Sequence, residues 1–314
     1  MINISNQNPQ STQSFKNKSI DGFTTSILFT TNSGGIGSTP LDTEQLQLKG
    51  TLRRNGSEIE MFNHTLKNLV LLSHIKSSTY DFLLNGVVIQ VGSAGGGIDS
   101  YIVPLRFDFG GTINLIGDDE FILEWQLNSG FFSASANLNL NTCYISVDDA
   151  ESSDIEYYVP ITRSKVIEGS QDNPTYSLGD NIMNLMLVNY DKTGFNLADR
   201  VVKTLRLKSD KITKNDTFDE LLTKAISYYT APSEALVRNQ NWIVYQGAEE
   251  LDNVELNLSL NSANVTSSKN YILWRTFYTD NWLVTRGTAL KDKADSKSDK
   301  KGTFNPALLD TQLN

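Results

Sequence analysis

The sequence is poor in the residue types that carry most protein chemistry. It has one cysteine, Cys143, and two histidines, His64 and His74. A single cysteine excludes an intrachain disulfide, and we predict that Cys143 is a small buried hydrophobic residue within a strand. The two histidines flank a predicted short helix and lack the spacing of ligands on one helix face. They favour surface or capping roles and disfavour a structural zinc site.

Long apolar runs and excess positive charge are also missing. No segment approaches the roughly 18–20 apolar residues of a membrane span, and the first residues lack the apolar core of a signal peptide. We therefore expect the protein to be made and folded in a cytoplasm. The net charge of -9 disfavours bulk binding of nucleic acid, because that binding needs a positive field to displace condensed counterions.

What the chain does contain is one pattern that occurs twice. A strand at 46–52, a polar turn at 53–56 and a helix at 65–75 are matched by a strand at 201–210, a polar turn at 211–215 and a helix at 216–229. Asp216 is the predicted N-cap of the second helix. The repeat is too long for a solenoid, whose units run to about 20–50 residues. It predicts two similar domains fused in one chain.

Strand candidates in both halves alternate between apolar and polar residues. Phe121, Leu123, Trp125 and Leu127, for example, fall on one face, and a period of two indicates half-buried antiparallel strands. We find six clear candidates in each half, at 23–31, 44–52, 79–92, 100–110, 120–128, 138–148, 155–169, 181–191, 200–210, 241–246, 254–261 and 270–280. One short helix per half excludes an alternating β/α architecture. The predicted fold is all-β, with two fused antiparallel sandwiches.

Composition divides the chain into four predicted segments. They are an N-terminal arm (1–19), a first sandwich (20–152), a second sandwich (153–284) and a C-terminal tail (285–314). The tail is either a solvated disordered end or an arm that orders against a neighbour. Its apolar residues Phe304, Leu308 and Leu309 favour the arm, because a purely solvating tail needs none.

The search for an active site finds no catalytic constellation. The glycine-rich stretches 34–37 and 92–97 match neither a P-loop nor a dinucleotide fingerprint, and neither leads into a predicted helix. We predict no enzyme activity and no cofactor. Carboxylates cluster at two places that are weak candidates for structural calcium, although solvated turns at strand ends are the commoner explanation: Asp118, Asp119, Asp148 and Asp149.

The four tryptophans divide into two pairs. Trp125 and Trp274 lie inside alternating strands, so we predict core positions for both. Trp242 and Trp282 have no such context, and a sugar-stacking role for them stays open.

The duplicated unit resembles a known family. The segments LQLKGTLRRNG…TLKNLVLLS and LRLKSDKITKNDTFDELLTKAIS, with the closing strands NTCYISVDD and YILWRTFYTD, resemble the double jelly-roll major capsid proteins of tailless icosahedral bacteriophages with an internal membrane. The likeness covers roughly residues 20–282 and lies in the order of elements. The compact size and asparagine-rich composition are similar to members from phages that infect Flavobacterium. Eight strands per half are implied, against the six that are clear here.

The resemblance implies a structural role without chemistry. Three chains would form a homotrimer whose six sandwiches make a pseudo-hexameric capsomer of an icosahedral capsid over an internal membrane. Implied partners in the virion are neighbouring capsomers and penton or minor capsid proteins, without sequence-specific nucleic-acid binding. Terminal arms of such proteins contact neighbours or the membrane, which assigns assembly or membrane contacts to Lys291, Lys293, Lys297, Lys300, Lys301, Phe304, Leu308 and Leu309.

Two other functions remain as alternatives. A carbohydrate-binding or receptor-binding protein with two β-sandwich modules explains the fold and would use exposed aromatic residues. A hydrolase on a β scaffold needs a catalytic constellation that the sequence does not display. Formation of a trimer separates the capsid interpretation from a monomeric binding module.

Overall fold

The structure is a computed structural model that describes residues 2–33, 35–36, 41–73, 89–96, 98–152, 158–188, 201–227, 241–266 and 270–279. The first half contains β1 (Ile2–Ile4), β2 (Gln10–Phe15), β3 (Ser19–Thr30), β4 (Leu46–Arg54), β5 (Ser57–Thr65), α1 (Leu66–Ser73), β6 (Ile89–Ser93), β7 (Asp99–Asn114), β8 (Glu120–Leu127) and β9 (Tyr144–Glu151). The second half contains β10 (Tyr158–Val166), β11 (Thr175–Gly179), β12 (Ile182–Val188), β13 (Val202–Lys208), β14 (Thr213–Thr217), α2 (Phe218–Ser227), β15 (Asn241–Leu251), β16 (Val254–Leu260) and β17 (Tyr271–Thr279).

The strand order in the sheets is that of a jelly roll, and it occurs twice. In the first sandwich the sheets run β1-β9-β3-β7-β6 and β2-β8-β4-β5. In the second they run β10-β17-β12-β15 and β11-β16-β13-β14. If β6 is set aside, the two halves have the same order of eight strands, and all pairs are antiparallel. The predicted fold, two fused jelly rolls with one short helix each, is confirmed.

The two helices occupy the same place in each half. Helix α1 follows β5, and α2 follows β14. Helix α2 begins with a capping box, in which Thr217 N donates to Glu220 Oε2 at 2.7 Å and Glu220 N lies 3.4 Å from Thr217 Oγ1. The predicted N-cap, Asp216, is one residue too early, because Thr217 directly precedes the helix and makes the capping contacts.

Each sandwich has its own core, and the two differ in chemistry. Phe23 is the centre of an aromatic cluster in the first core, with ring centroids 5.2 Å from Phe15 and 5.5 Å from Phe107. The second core is mostly aliphatic and includes Leu185, Leu187, Leu205, Leu207, Leu256, Leu258 and Leu260. Trp125 and Trp274 are buried, as predicted.

Cys143 is buried, as predicted, but it directly precedes β9 instead of lying within a strand. Burial raises the pKa of its thiol.

Five strands were absent from the prediction, and all of them lie at sheet edges: β1, β2, β5, β11 and β14. Residues 1–19, predicted to be an arm, instead supply β1, which pairs with β9, and β2, which pairs with β8. The physical reason is that an edge strand buries little side-chain area, so it needs no alternation. The sequence of β2, QSTQSF, ends in its one buried residue, Phe15. The boundaries at 152 and 284 stay predictions.

Candidate functional site: the junction between the two sandwiches

One sheet of the second sandwich is buried on both faces. Ile272 and Leu187 belong to the core of that sandwich. On the opposite face, the paired residues Met186, Leu273 and Ile243 are also at most 2% exposed. Strand β10 of this sheet contacts β5 and β7 of the first sandwich. The outer face of the sheet is therefore an internal interface that joins the two halves.

A single arginine lies on this outer face. Arg275 lies opposite Thr162 and Asn184 on the neighbouring strands, and it is only 5% exposed. Its Nη2 donates to the main-chain oxygen of Asp108 on β7 and, at 3.4 Å, to Ser73 Oγ at the end of α1. Arg275 Nε has no hydrogen-bond acceptor among the described residues. The guanidinium therefore connects the second sandwich to two elements of the first.

The hydrogen-bond acceptors of Arg275 are neutral. The carboxylate of Asp108 accepts a 2.6 Å hydrogen bond from Arg106 Nε, and its attraction for the Arg275 guanidinium only partly opposes the effect of burial on the pKa. Burial lowers the pKa of Arg275 to about 10, which still leaves it protonated at neutral pH. A buried charge is costly unless hydrogen bonds compensate it. The carbonyl and hydroxyl acceptors must therefore stay within hydrogen-bond distance of the guanidinium. This requirement restrains the position of one sandwich relative to the other.

Ser73 connects the end of α1 to β7 on the first-sandwich side of this contact. Its hydroxyl donates to Leu69 O at 2.7 Å and accepts from Asp108 N at 2.7 Å. One donor and two lone pairs are all that a hydroxyl offers, and Arg275 takes the remaining lone pair. The end of α1, β7 and β17 thus meet in one hydrogen-bonded cluster.

Two further polar contacts cross the junction. Tyr271 OH donates to Asn68 Oδ1 on α1, and burial raises the pKa of this phenol, which keeps its proton. His64 Nε2 lies 3.4 Å from the main-chain oxygen of Thr162 on β10. The predicted surface or capping role of His64 is wrong, because it lies on β5 and is only 8% exposed. His74 lies outside the described residues.

Two of the four carboxylates predicted as weak calcium ligands are engaged in ion pairs. Asp119 is buried, lies 3.1 Å from Arg54 Nε and accepts from Ile116 N. Asp149 lies 2.7 Å from Lys18 Nζ, while Asp118 and Asp148 are exposed. Among the residues that the structure describes, no group of three or more histidine, cysteine, aspartate or glutamate side chains could hold a metal ion. Calcium binding by these residues stays a prediction.

The predicted assembly residues from Lys291 to Leu309, Trp282 and the side chain of Trp242 lie outside the described part of the chain. Of the helices within that part, none is long and apolar enough to cross a bilayer.

The sequence reasoning missed Arg275, although β17 does carry a signal for it. In YILWRTFYT both faces of the strand carry mostly apolar or aromatic residues, which indicates a strand that is buried on both faces. A lone arginine in such a strand has no solvent face to occupy. The sequence does not show which element would supply its acceptors.

Comparison with known proteins gives similarity in structure alone. No family model matches the chain, and no curated protein is similar to it in sequence. A chain of the Sulfolobus turreted icosahedral virus is 12% identical, with a TM-score of 0.47 and 86% of each chain covered. A chain of the Sputnik virophage is 9% identical, with a TM-score of 0.37 and coverage of 86% of this chain and 82% of that one. The mavirus major capsid protein is 9% identical, with a TM-score of 0.31 and coverage of 86% and 84%.

The close approach of Arg275 to Gly110 generates a first prediction. Gly110 has φ +88°, and a Cβ there would lie 2.7 Å from Arg275 Nη1. We expect Gly110→Ala to lower the free energy of unfolding by about 1–3 kcal/mol more than Gly179→Ala, because a buried guanidinium cannot move aside. Gly179 is a matched control, with φ +90° and no atom within 4 Å of its Cβ position. Urea unfolding of both variants checks this, and equal losses would contradict it.

The buried imidazole of His64 generates a second prediction. Burial, with a smaller contribution from Arg163, lowers its pKa from 6.5 to about 4. The unfolded chain therefore binds more protons between these values, and stability falls as the pH drops from 6.5 towards 4. We expect this group to contribute a loss of about 3 kcal/mol over that range. Urea unfolding at several pH values should give a flatter profile for His64→Gln than for wild type; identical profiles would contradict this assignment.

Proposed function

We propose that this chain is the structural major capsid protein of an icosahedral bacteriophage. The observation that carries the proposal is the repeated jelly-roll order, with its two copies joined through a buried junction. One chain then supplies two similar blocks in a fixed relation. This role requires no catalytic group.

The geometry of such a block suits a flat shell. Three copies around a threefold axis present six similar sandwiches, and a unit of nearly hexagonal outline can tile a surface. Closed symmetry requires that each copy present the same contact surfaces at the same angle. A flexible hinge between the sandwiches would let the angle between their contact surfaces vary. The hydrogen bonds of Arg275, Tyr271 and His64 across the junction restrain this angle.

The proposal includes a set of partners and a location. The homotrimer would be a pseudo-hexameric capsomer that contacts neighbouring capsomers and penton or minor capsid proteins in the virion. An internal membrane would lie beneath the shell, with the tail lysines (Lys291, Lys293, Lys297, Lys300 and Lys301) facing lipid headgroups or an adjacent capsomer. Each lysine near an anionic surface contributes on the order of 1 kcal/mol, but the three aspartates among them offset this. Calcium, if bound, would have a structural role only.

The native mass of the purified protein tests the capsid proposal. We expect light scattering after size exclusion to give about three times the chain mass of 34.9 kDa, because a capsomer needs three copies. The mass should persist on dilution, and electron microscopy of concentrated samples should show capsomers or shells. A monomer at every concentration, together with binding on a glycan array, would favour the carbohydrate-binding alternative and count against the capsid.

Deletion of residues 287–314 tests the role of the tail. We expect both sandwiches to keep their melting transition, because none of the described buried hydrophobic residues lies beyond Phe277. Assembly of particles should fall, since the apolar end of the tail would lose its docking site on a neighbour. Circular dichroism controls for folding, and particle yield measures assembly. A normal particle yield would discard the docking arm while leaving the capsid role intact.

A further inference from the structure

Strand β6 is an addition to the jelly roll of the first sandwich. It pairs with β7 outside the eight strands that the two halves share, and it forms the edge of its sheet. In the described part of the second sandwich, the corresponding sheet ends at β15. The extra strand therefore widens one sheet on one side of the molecule.

The surface of this edge is unusually apolar. All five residues of β6 are exposed. Four large hydrophobic residues of the described chain are exposed, and three of them lie here: Ile89 (44%), Val91 (56%) and Ile98 (42%). We call these three residues the apolar edge. Such a group on a strand with an open edge marks an interaction site in a soluble protein.

The apolar edge also lacks the usual protection against pairing. Natural proteins blunt exposed edges with charged residues or proline. Residues 89–98 contain neither, whereas the edge strands β5 and β14 carry charged residues. The edge strands β2 and β11 also lack charge and proline, but their large hydrophobic side chains are buried: Phe15, Tyr176 and Leu178. The contrast within one molecule indicates that this edge is left open for a contact.

Charge decides which contact fits best. The chain carries a net charge of -9, so two copies repel each other over most of their surfaces. An uncharged segment is where two copies can approach at the least electrostatic cost. An anionic lipid surface would instead be recognised by basic residues. The first charged residue that follows the segment is Asp99, which is acidic and would disfavour such a surface.

We propose that the apolar edge is a contact surface for a second copy of this chain. The inference rests on the proposed function, since it assigns one of the contacts through which copies would assemble. Ile89 and Val91 on β6, together with Ile98 in the following turn, become buried against the neighbouring copy.

The experiment compares two single substitutions that change the net charge equally. Val91→Lys places a charge on the apolar edge. Val166→Lys does the same on β10, where Val166 is the fourth exposed hydrophobic residue, at 46%. Both side chains are exposed, so both variants should fold, which melting curves check. Sedimentation velocity over a concentration series then measures self-association.

We expect Val91→Lys to weaken self-association by about tenfold or more, and Val166→Lys by much less, because only the former buries its charge on assembly. Equal effects of the two variants, or wild-type association of Val91→Lys, would overturn the inference while the capsid proposal stands. A wild-type protein that stays monomeric at every concentration would overturn the inference, and binding on a glycan array in addition would count against the capsid proposal. Flotation with neutral phosphatidylcholine vesicles that Val91→Lys abolishes, with association unchanged, would assign the edge to lipid and overturn the inference.

Discussion

The Arg275 guanidinium lies between the two sandwiches, where burial makes any unsatisfied charge costly. Its described acceptors are a main-chain oxygen of β7 and the hydroxyl of Ser73. Neither acceptor can move far, since one belongs to a sheet and the other is held by two further hydrogen bonds at the end of α1. The charge therefore acts as a restraint on the relative position of the two halves.

The other features of the junction are consistent with this restraint. The outer face of the sheet is filled by aliphatic side chains, which supply non-directional adhesion. The polar contacts of Tyr271 and His64 add direction at separate points, so rotation about Arg275 would break them. Short α1, which carries Asn68 and Ser73, takes part in two of the three polar contacts. The helix after β5 is thus a structural part of the junction as well as a connection within the first sandwich.

The fold class could be predicted from the sequence because the central strands must alternate between apolar and polar residues. Strands such as β8 and β16 bury one face against a core, and their period of two is visible in the sequence. The missed strands lie at sheet edges, where polar residues such as those of β2 satisfy the ladder without a buried face. The prediction for His64 was wrong because a histidine next to a helix start is usually exposed to solvent. Its burial depends on the packing of β10 against β5, which the sequence does not show. The junction depends on contacts between residues more than 90 positions apart, which local patterns do not report.

The central claim is that the two sandwiches form one rigid block. Double electron–electron resonance tests it with spin labels at Thr12→Cys on β2 and Ser177→Cys on β11, both exposed positions, in a Cys143→Ala background. Dilution with unlabelled protein makes pairs within one chain dominate the signal. The account predicts a single narrow distance distribution. A broad or bimodal distribution would show that the sandwiches move relative to each other and would contradict it.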